Sequence, residues 1–215
     1  MTIGRFAKVF VKNAEFGENV AVNDAAEALG RYTPAWNAGG TGPERNGTAS
    51  AAQGRMMEYP VTPAIRVLRE KKADFVPHLY DYVEKGGTRE SARQLGVDEH
   101  AVVKTLVFET NEKKPLIVLM HGDREVSAKG LARLIGVKSV EPATPERASK
   151  LTGYLVGGTS PFGTKIAMPV YVEKSIFSLG RIYINGGKRG FLVEIEPKVL
   201  TAVLNVTEVE VGIGD

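Results

Sequence analysis

The segment from Thr152 to Gly163 has the composition of a ligand-binding loop. Its apolar residues Tyr154-Leu155-Val156 predict a short strand that ends at Gly157-Gly158. Glycine accepts positive φ and has no Cβ, so the backbone N–H groups of this pair can come close to an anionic or carbonyl-bearing ligand, and Pro161 stiffens the exit. Turn chemistry alone is the competing interpretation.

A second glycine cluster, Asn185 to Gly190, lies between two segments of alternating polarity. This arrangement predicts a hairpin with its turn at Gly186-Gly187, and the adjacent cations Lys188 and Arg189 would project from that turn. Two glycine loops in one small domain, one of them cationic, favour a site for a phosphate-bearing ligand.

Lys104 interrupts an otherwise apolar strand pattern that runs from Val102 to Phe108. An unpaired buried ammonium group is costly, so this side chain must either extend to water or face a polar cavity. Lys104 is therefore a candidate site residue.

Standard nucleotide and hydrolase signatures are absent. No G-x-G-x-x-G motif follows a strand, and Ile182 occupies the position where a Walker A motif ending at Lys188 needs glycine. The segment around Ser160 is one residue too long for a nucleophile elbow, and Pro161 has no N–H for an oxyanion hole. A hydrolase that uses Ser160 and His121 is therefore disfavoured.

The composition is that of a globular protein, with 43% hydrophobic and 25% charged residues in a chain of 215. No apolar segment approaches 18 residues and no signal peptide is evident, so we expect a cytoplasmic location. The chain has no cysteine, which excludes disulfides, zinc–thiolate sites and a thiol nucleophile. The three histidines lack metal-ligand spacing, and we expect neither a metal nor a cofactor.

Charge gives a weaker indication of partners. The net charge of +3 permits a nucleic-acid partner without requiring one. A predicted helix and the residues just after it carry three cations, Lys129, Arg133 and Lys138, which are one to two helical turns apart. This spacing is typical of a solvated helix face. RNA binding by these three residues is the alternative interpretation.

Helix signals are clear from Val61 onwards. N-cap residues or prolines begin helices at Thr62-Pro63, Thr88, Ser127, Thr144-Pro145 and Pro197, and glycines end three of them at Gly96, Gly136 and Gly153.

Strand patterns fall mostly next to one another. They cover residues 75–80, 102–108, 116–120, 168–172, 181–184, 191–195 and 207–211. Because strands do not alternate strictly with helices, the predicted class is α+β: a mixed, largely antiparallel, barrel-like sheet surrounded by short helices.

The first 55 residues differ from the rest. Tyr32 to Gly54 is a polar tract that lacks the apolar surface to offset its ordering entropy. We predict a disordered or spurious leader over 1–55, and favour a true start at Met56 or Met57, with one domain over 56–215.

Four motifs together resemble the YbaK family of aminoacyl-tRNA deacylases, which is related to the editing insertion of bacterial prolyl-tRNA synthetases. They are Thr62-Pro63-Ala64, Val103-Lys104-Thr105-Leu106, Thr152 to Gly158 with Ser160-Pro161, and Gly186 to Gly190. The resemblance covers about Val61 to Val211. It implies a barrel-like mixed fold and hydrolysis of wrongly charged tRNA, best known for cysteine on proline tRNA, with the tRNA acceptor end and prolyl-tRNA synthetase as partners.

The resemblance also implies site residues. Lys104 matches the essential strand lysine of the family, which would hold the terminal nucleotide or the carbonyl as a point charge. The other implied contacts to substrate are Tyr80, Thr105, Gly157, Gly158, Ser160, Pro161, Asn185, Gly187, Lys188 and Arg189.

Three departures from the family concern the amino-acid pocket. Asn185 replaces a serine, Leu192 replaces an aspartate, and the segment from Glu84 to Arg89 lacks a phenylalanine. The preferred amino acid is therefore open, with alanine as an alternative to cysteine. The rival function is a binding module that holds tRNA or another acidic ligand without chemistry.

A chain that begins at Met56 should fold with an unchanged melting temperature and unchanged deacylase activity, because the leader lacks apolar surface. Thermal unfolding and turnover of the full and shortened chains test this. A drop of several degrees in the melting temperature would show that the leader packs on the core.

Overall fold

The computed structural model describes residues 58–214. The predicted leader, residues 1–55, lies outside the described residues. None of the helices in the described range is long and apolar enough to span a membrane.

The structure has five short α-helices, and most of their ends lie at the capping residues that the sequence predicted. The helices are α1 (Pro63–Glu70), α2 (Gly87–Leu95), α3 (Ala128–Ile135), α4 (Pro145–Thr152) and α5 (Lys198–Val203). The side chains of Thr62, Ser127 and Thr144 accept hydrogen bonds from the first turns of α1, α3 and α4. Left-handed glycines end α2, α3 and α4 at the predicted positions.

Eight strands form one mixed sheet. Its members are β1 (Val76–Leu79), β2 (Val102–Thr110), β3 (Pro115–His121), β5 (Val140–Pro142), β6 (Val170–Glu173), β7 (Ile182–Lys188), β8 (Phe191–Ile195) and β9 (Val206–Val209), while β4 (Glu125–Val126) pairs with β10 (Gly212–Ile213). The order is β1-β8-β7-β2-β3-β6-β9, with β5 beside β2. The β2–β3 and β7–β8 pairs are antiparallel hairpins, whereas β2–β7, β3–β6 and β6–β9 are parallel. This mixed sheet with short helices confirms the predicted fold class.

Alternating side chains of the sheet fill separate cores. One face of β7 and β8 contributes Ile182, Ile184 and Val193 to a large core that α1 and α5 cover. The even-numbered residues of β3 pack instead against α3 in a second core. On the same face of the sheet as this second core, Val102 and Leu192 pack against α2. Since side chains alternate along each strand, β2 contributes to both sides of the sheet, and Lys104 shares the face of Val102.

Three local predictions were wrong. Residues 154–156 form no strand, and Leu155 is 67% exposed, because these residues make the exit from α4 and not a sheet edge. Gly186 and Gly187 lie inside β7, next to a register shift between Asn185 and Lys188, so the hairpin turn falls at Arg189-Gly190. Thr88 does not cap α2, whose N-cap position is Gly86.

Candidate active site

A cavity of about 880 Å³ opens between β2, the start of α2, the β5–α4 connection and the two glycine loops. Six of the predicted site residues line it: Tyr80, Lys104, Thr105, Gly157, Asn185 and Arg189. These residues come from four separate parts of the chain. The volume is within the range of small-ligand sites.

Lys104 lies in the middle of β2, opposite Met120 of β3. Its Nζ donates a hydrogen bond to the backbone carbonyl of Arg124, which fixes the ammonium group at the cavity wall. Burial lowers the pKa of Lys104, and the nearby carboxylates of Glu125 and Glu99 oppose that shift. The structure thus places a half-buried cation with a fixed position on an otherwise apolar strand.

The first glycine loop packs against the β7–β8 turn through its backbone. A Cβ on Gly158 would lie 2.8 Å from the backbone nitrogen of Arg189 and 3.0 Å from the carbonyl carbon of Lys188. Gly158 is therefore needed because the two main chains approach more closely than any side chain permits. Its N–H donates to the carbonyl of Leu155 at 2.8 Å, so this amide stabilises the loop itself.

Gly157 has φ +86° and lines the cavity. A Cβ there would lie 3.0 Å from the Tyr82 hydroxyl. Among residues 58–214 the N–H of Gly157 has no hydrogen-bond partner. It is thus one backbone donor of this loop that is open to a ligand.

Asn185 connects the two loops. Its Nδ2 donates to the carbonyl of Gly157 at 3.1 Å, and its Oδ1 accepts from the N–H of Gly187 at 2.8 Å. Both ends of the amide are occupied within the protein. The side chain therefore orients the first loop and also lines the cavity.

Arg189 forms the rim. Its Nε donates to the carbonyl of Val156 at 2.8 Å, and its guanidinium lies 5.0 Å from the centre of the Tyr82 ring. Sequence reasoning did not identify Tyr82, although the tyrosine pair Tyr80 and Tyr82 in an extended segment is a usable signal. Thr88 and Ser91 of α2, which also line the cavity, were missed because their polarity is ordinary for a helix start.

The remaining predicted residues do not line the cavity. Ser160 is fully buried behind the loop, and its Oγ accepts a 3.4 Å hydrogen bond from the N–H of Phe162. Pro161 is buried beside it. Gly187, at φ +92°, packs against Tyr154 and Thr62, whereas Lys188 is exposed on the β7–β8 hairpin.

Tyr80, Thr105 and Leu192 form part of the cavity wall. Burial raises the pKa of the Tyr80 hydroxyl. The Thr105 hydroxyl oxygen is buried without a hydrogen-bond partner in the described residues. Leu192 is 4% exposed and is paired with Asn185, while its neighbour Phe191 faces the large core. Of the neighbours Phe191 and Leu192, Leu192 is therefore the one that faces the cavity.

His121 lies away from Ser160. Its two ring nitrogens form 2.7 Å hydrogen bonds with the carbonyl of His100 and the Oγ of Ser175. Within the described range no three His, Asp or Glu side chains are grouped so as to hold a metal ion.

A family model for the aminoacyl-tRNA editing domain matches residues 85–203, which include Lys104 and both glycine loops. The chain belongs to the aminoacyl-tRNA editing domain family. Members of this family are aminoacyl-tRNA deacylases, a class of ester hydrolase.

Relatives of this editing domain include both free-standing proteins and synthetases. The chain is 30% identical over 145 residues to EbsC of Enterococcus faecalis, a candidate Cys-tRNA(Pro)/Cys-tRNA(Cys) deacylase, covering 67% of this chain and 88% of EbsC. It is 34% identical over 109 residues to the proline–tRNA ligase of Thermodesulfovibrio yellowstonii, covering 51% of this chain but 17% of the ligase. The similarity to the ligase is therefore confined to a small part of that enzyme.

Solved structures share the fold of the editing domain. A candidate trans-editing enzyme for prolyl-tRNA synthetase superposes with a TM-score of 0.62 at 23% identity, covering 72% of this chain and all of that one. A hypothetical protein superposes with a TM-score of 0.65 at 24% identity, covering 71% of this chain and all of that one. These likenesses establish the architecture.

Gly158→Ala should weaken both stability and activity, because the new methyl group would force the loop away from Arg189. We expect a loss of about 1–3 kcal/mol in the free energy of unfolding and a lower kcat/KM. Gly180→Ala is the matched control, since a Cβ at Gly180 meets nothing within 4 Å. Chemical denaturation and deacylation assays of both variants check this, and equal behaviour of the two would contradict the proposed close approach.

Proposed function

We propose that this protein is a trans-editing hydrolase that deacylates mischarged tRNA, with Cys-tRNA(Pro) or Cys-tRNA as the substrate. The observation that carries the proposal is Lys104, a half-buried cation in the middle of a strand that lines the main cavity. The family match and the similarity to EbsC support the reaction class and the substrate.

The proposed chemistry requires little of the protein, because an aminoacyl ester is already reactive. The site has to position the 3′ end of the tRNA and stabilise negative charge on the carbonyl oxygen as the ester is attacked. Lys104 would supply the charge, and the free N–H of Gly157 would donate to the carbonyl or the ribose. In a cysteine ester the proposed nucleophile is the substrate's own thiol, which would form a thioester bond to the carbonyl carbon while the bond to the ribose oxygen breaks and that oxygen takes up the thiol proton. In an alanine ester water would be the nucleophile, so neither substrate needs a protein nucleophile.

The lining of the cavity also favours a small amino acid as the group that is esterified to the tRNA. Val102 and Leu192 are 1% and 4% exposed and leave an apolar surface beside Lys104. Small apolar pockets discriminate weakly, at about 1–3 kcal/mol per methylene. Alanine is therefore the second candidate for the amino acid.

The proposed partners are the acceptor end of tRNA and prolyl-tRNA synthetase, which would deliver its mischarged product. A cytoplasmic location, where tRNA is charged, is part of this proposal. The rival is a binding module without chemistry. A binder needs cations on its surface, as at Lys188, and has no use for a half-buried lysine in a strand, so Lys104 favours the enzyme.

Lys104→Ala should lower kcat by at least about 10²-fold, the scale expected when one oxyanion-stabilising group is removed. The fold should persist, because the side chain borders a cavity. Lys104→Arg should not restore activity, since a forked guanidinium is larger and donates differently.

The assay for the Lys104 variants is deacylation across a panel of mischarged tRNAs. Lys114→Ala is the control, because Lys114 lies on the same β2–β3 hairpin with its side chain 77% exposed. Full turnover by Lys104→Ala would refute the catalytic role. Tight tRNA binding without turnover by the unaltered protein would favour the binding module.

Asn185→Ser with Leu192→Asp should change the preference among small amino acids more than the rate on the best one. Leu192 lines the cavity, so an aspartate there would offer a carboxylate to the substrate's α-ammonium group. Asn185→Ser removes the amide that holds Gly157, so this single variant should lower kcat on all substrates by one common factor, smaller than the shift in preference caused by Leu192→Asp.

The deciding quantity is the ratio of kcat/KM for Cys-tRNA to that for Ala-tRNA in the unaltered protein, both single variants and the double variant. We expect the ratio to move with Leu192→Asp and to stay nearly constant with Asn185→Ser. A ratio that stays the same in all variants would count against a pocket role for Leu192.

A further inference from the structure

A second, smaller concavity lies outside the proposed active site, between α3 and β5. It has a volume of about 320 Å³, and three cationic residues line it: Lys129, Arg133 and Lys138. Its floor is apolar and includes Val140, which is 3% exposed. The α3–β5 groove, as we call it, takes no part in the proposed chemistry.

The charge of this groove is not neutralised within the protein. Lys129, Arg133 and Lys138 are exposed, and in the described part of the chain none of them lies within 4.0 Å of a carboxylate. Other exposed cations, such as Arg147 and Lys174, do pair with acidic residues. An unpaired cationic groove attracts an anionic partner.

The spacing of the cations suits a regular polyanion. Lys129 and Arg133 are four residues apart on α3, so they lie one above the other on one helix face, about 6 Å apart along the axis. Lys138 follows the end of the helix and lines the same groove. A row of cations is suited to the phosphates of a nucleic-acid backbone, whereas a single small anion needs only one or two of them.

The groove and the proposed active site are neighbours along β5. Val140 lines the groove and Pro142 lines the large cavity, and these residues are two positions apart on one strand, or about 7 Å. Both are paired with β2, the strand that carries Lys104. Glu141, between them, points to the opposite side of the strand because side chains alternate.

We infer that the α3–β5 groove binds the phosphate backbone of the acceptor stem while the aminoacylated 3′ end occupies the cavity. This inference rests on the proposed function, because it takes tRNA as the substrate. Double-stranded RNA is recognised mainly through its phosphates and shape, which agrees with a groove whose charged side chains are all cations. The contact determines affinity and leaves the chemical step unchanged.

Binding of an uncharged RNA hairpin that mimics the acceptor stem with its 3′ single strand is the first test. The variant Lys129→Ala/Arg133→Ala/Lys138→Ala should bind about tenfold more weakly, and the slope of log affinity against log salt should fall by about 1 for each lost phosphate contact. The measurement is fluorescence anisotropy at several salt concentrations, with melting temperatures to verify folding.

A charge-matched control comes from the other side of the protein. Arg66, Lys71 and Lys72 are exposed on and just after α1, which covers the large core and not the α3 core. The variant Arg66→Ala/Lys71→Ala/Lys72→Asn removes the same charge, with asparagine at position 72 because φ there is +52°. It should bind the hairpin nearly as well as the unaltered protein. Equal weakening by both triple variants would overturn the inference, since net charge alone would then explain binding.

Kinetics separate this inference from the proposed function. On full-length mischarged tRNA the groove variant should show a raised KM with unchanged kcat, and on an aminoacylated trinucleotide CCA it should match the unaltered protein. Unchanged KM on tRNA would overturn the groove contact while leaving the deacylase proposal intact. Specific hairpin binding by a protein that deacylates no tRNA would overturn the proposed function and support the groove.

Discussion

The site depends on a close approach between two stretches of main chain. Gly158 lies against the backbone of Lys188 and Arg189, at a distance that excludes even a methyl group. Asn185 and Arg189 then add two hydrogen bonds between the same two segments, to the carbonyls of Gly157 and Val156. Because both loops are fixed to each other, the N–H of Gly157 and the cation of Arg189 keep constant positions at the cavity. A binding site assembled from loops gains from such rigidity, since little ordering remains to be done when the ligand arrives.

Lys104 differs from the glycine loops, because it places a charged group in a partly buried position where burial disfavours the charged form. Burial lowers its pKa, and the protein compensates with the carbonyl of Arg124 and with the field of nearby carboxylates. These partners keep the side chain in place but leave donor capacity, since an ammonium has three N–H groups. The strand itself supplies the rigid support, as β2 is paired on both sides with β3 and β7.

Local sequence signals predicted much of the fold, because capping and alternation depend on near neighbours. Thr62, Ser127 and Thr144 begin helices as predicted, and Lys104 was recognisable as a cation in an apolar strand. The errors arise where distant contacts decide the structure. Gly186 and Gly187 looked like a turn, yet they are held inside β7 by packing against Phe191 and Tyr154. No pattern near Ser160 could show that this residue is buried, since loop packing determines its position.

One hydroxyl group has a consequence for the modularity of this domain. Thr62 Oγ1 accepts from the N–H of Ile65 and donates to the carbonyl of Gly186, so the cap of α1 also supports the second glycine loop. Gly163, at the end of the first loop, lies against the backbone of Pro63. Both contacts come from residues that precede the range 85–203 of the family match. The unit that has to be moved intact is therefore larger than the range of the family match, and a graft or fusion that keeps the cavity walls must also carry the chain from Thr62.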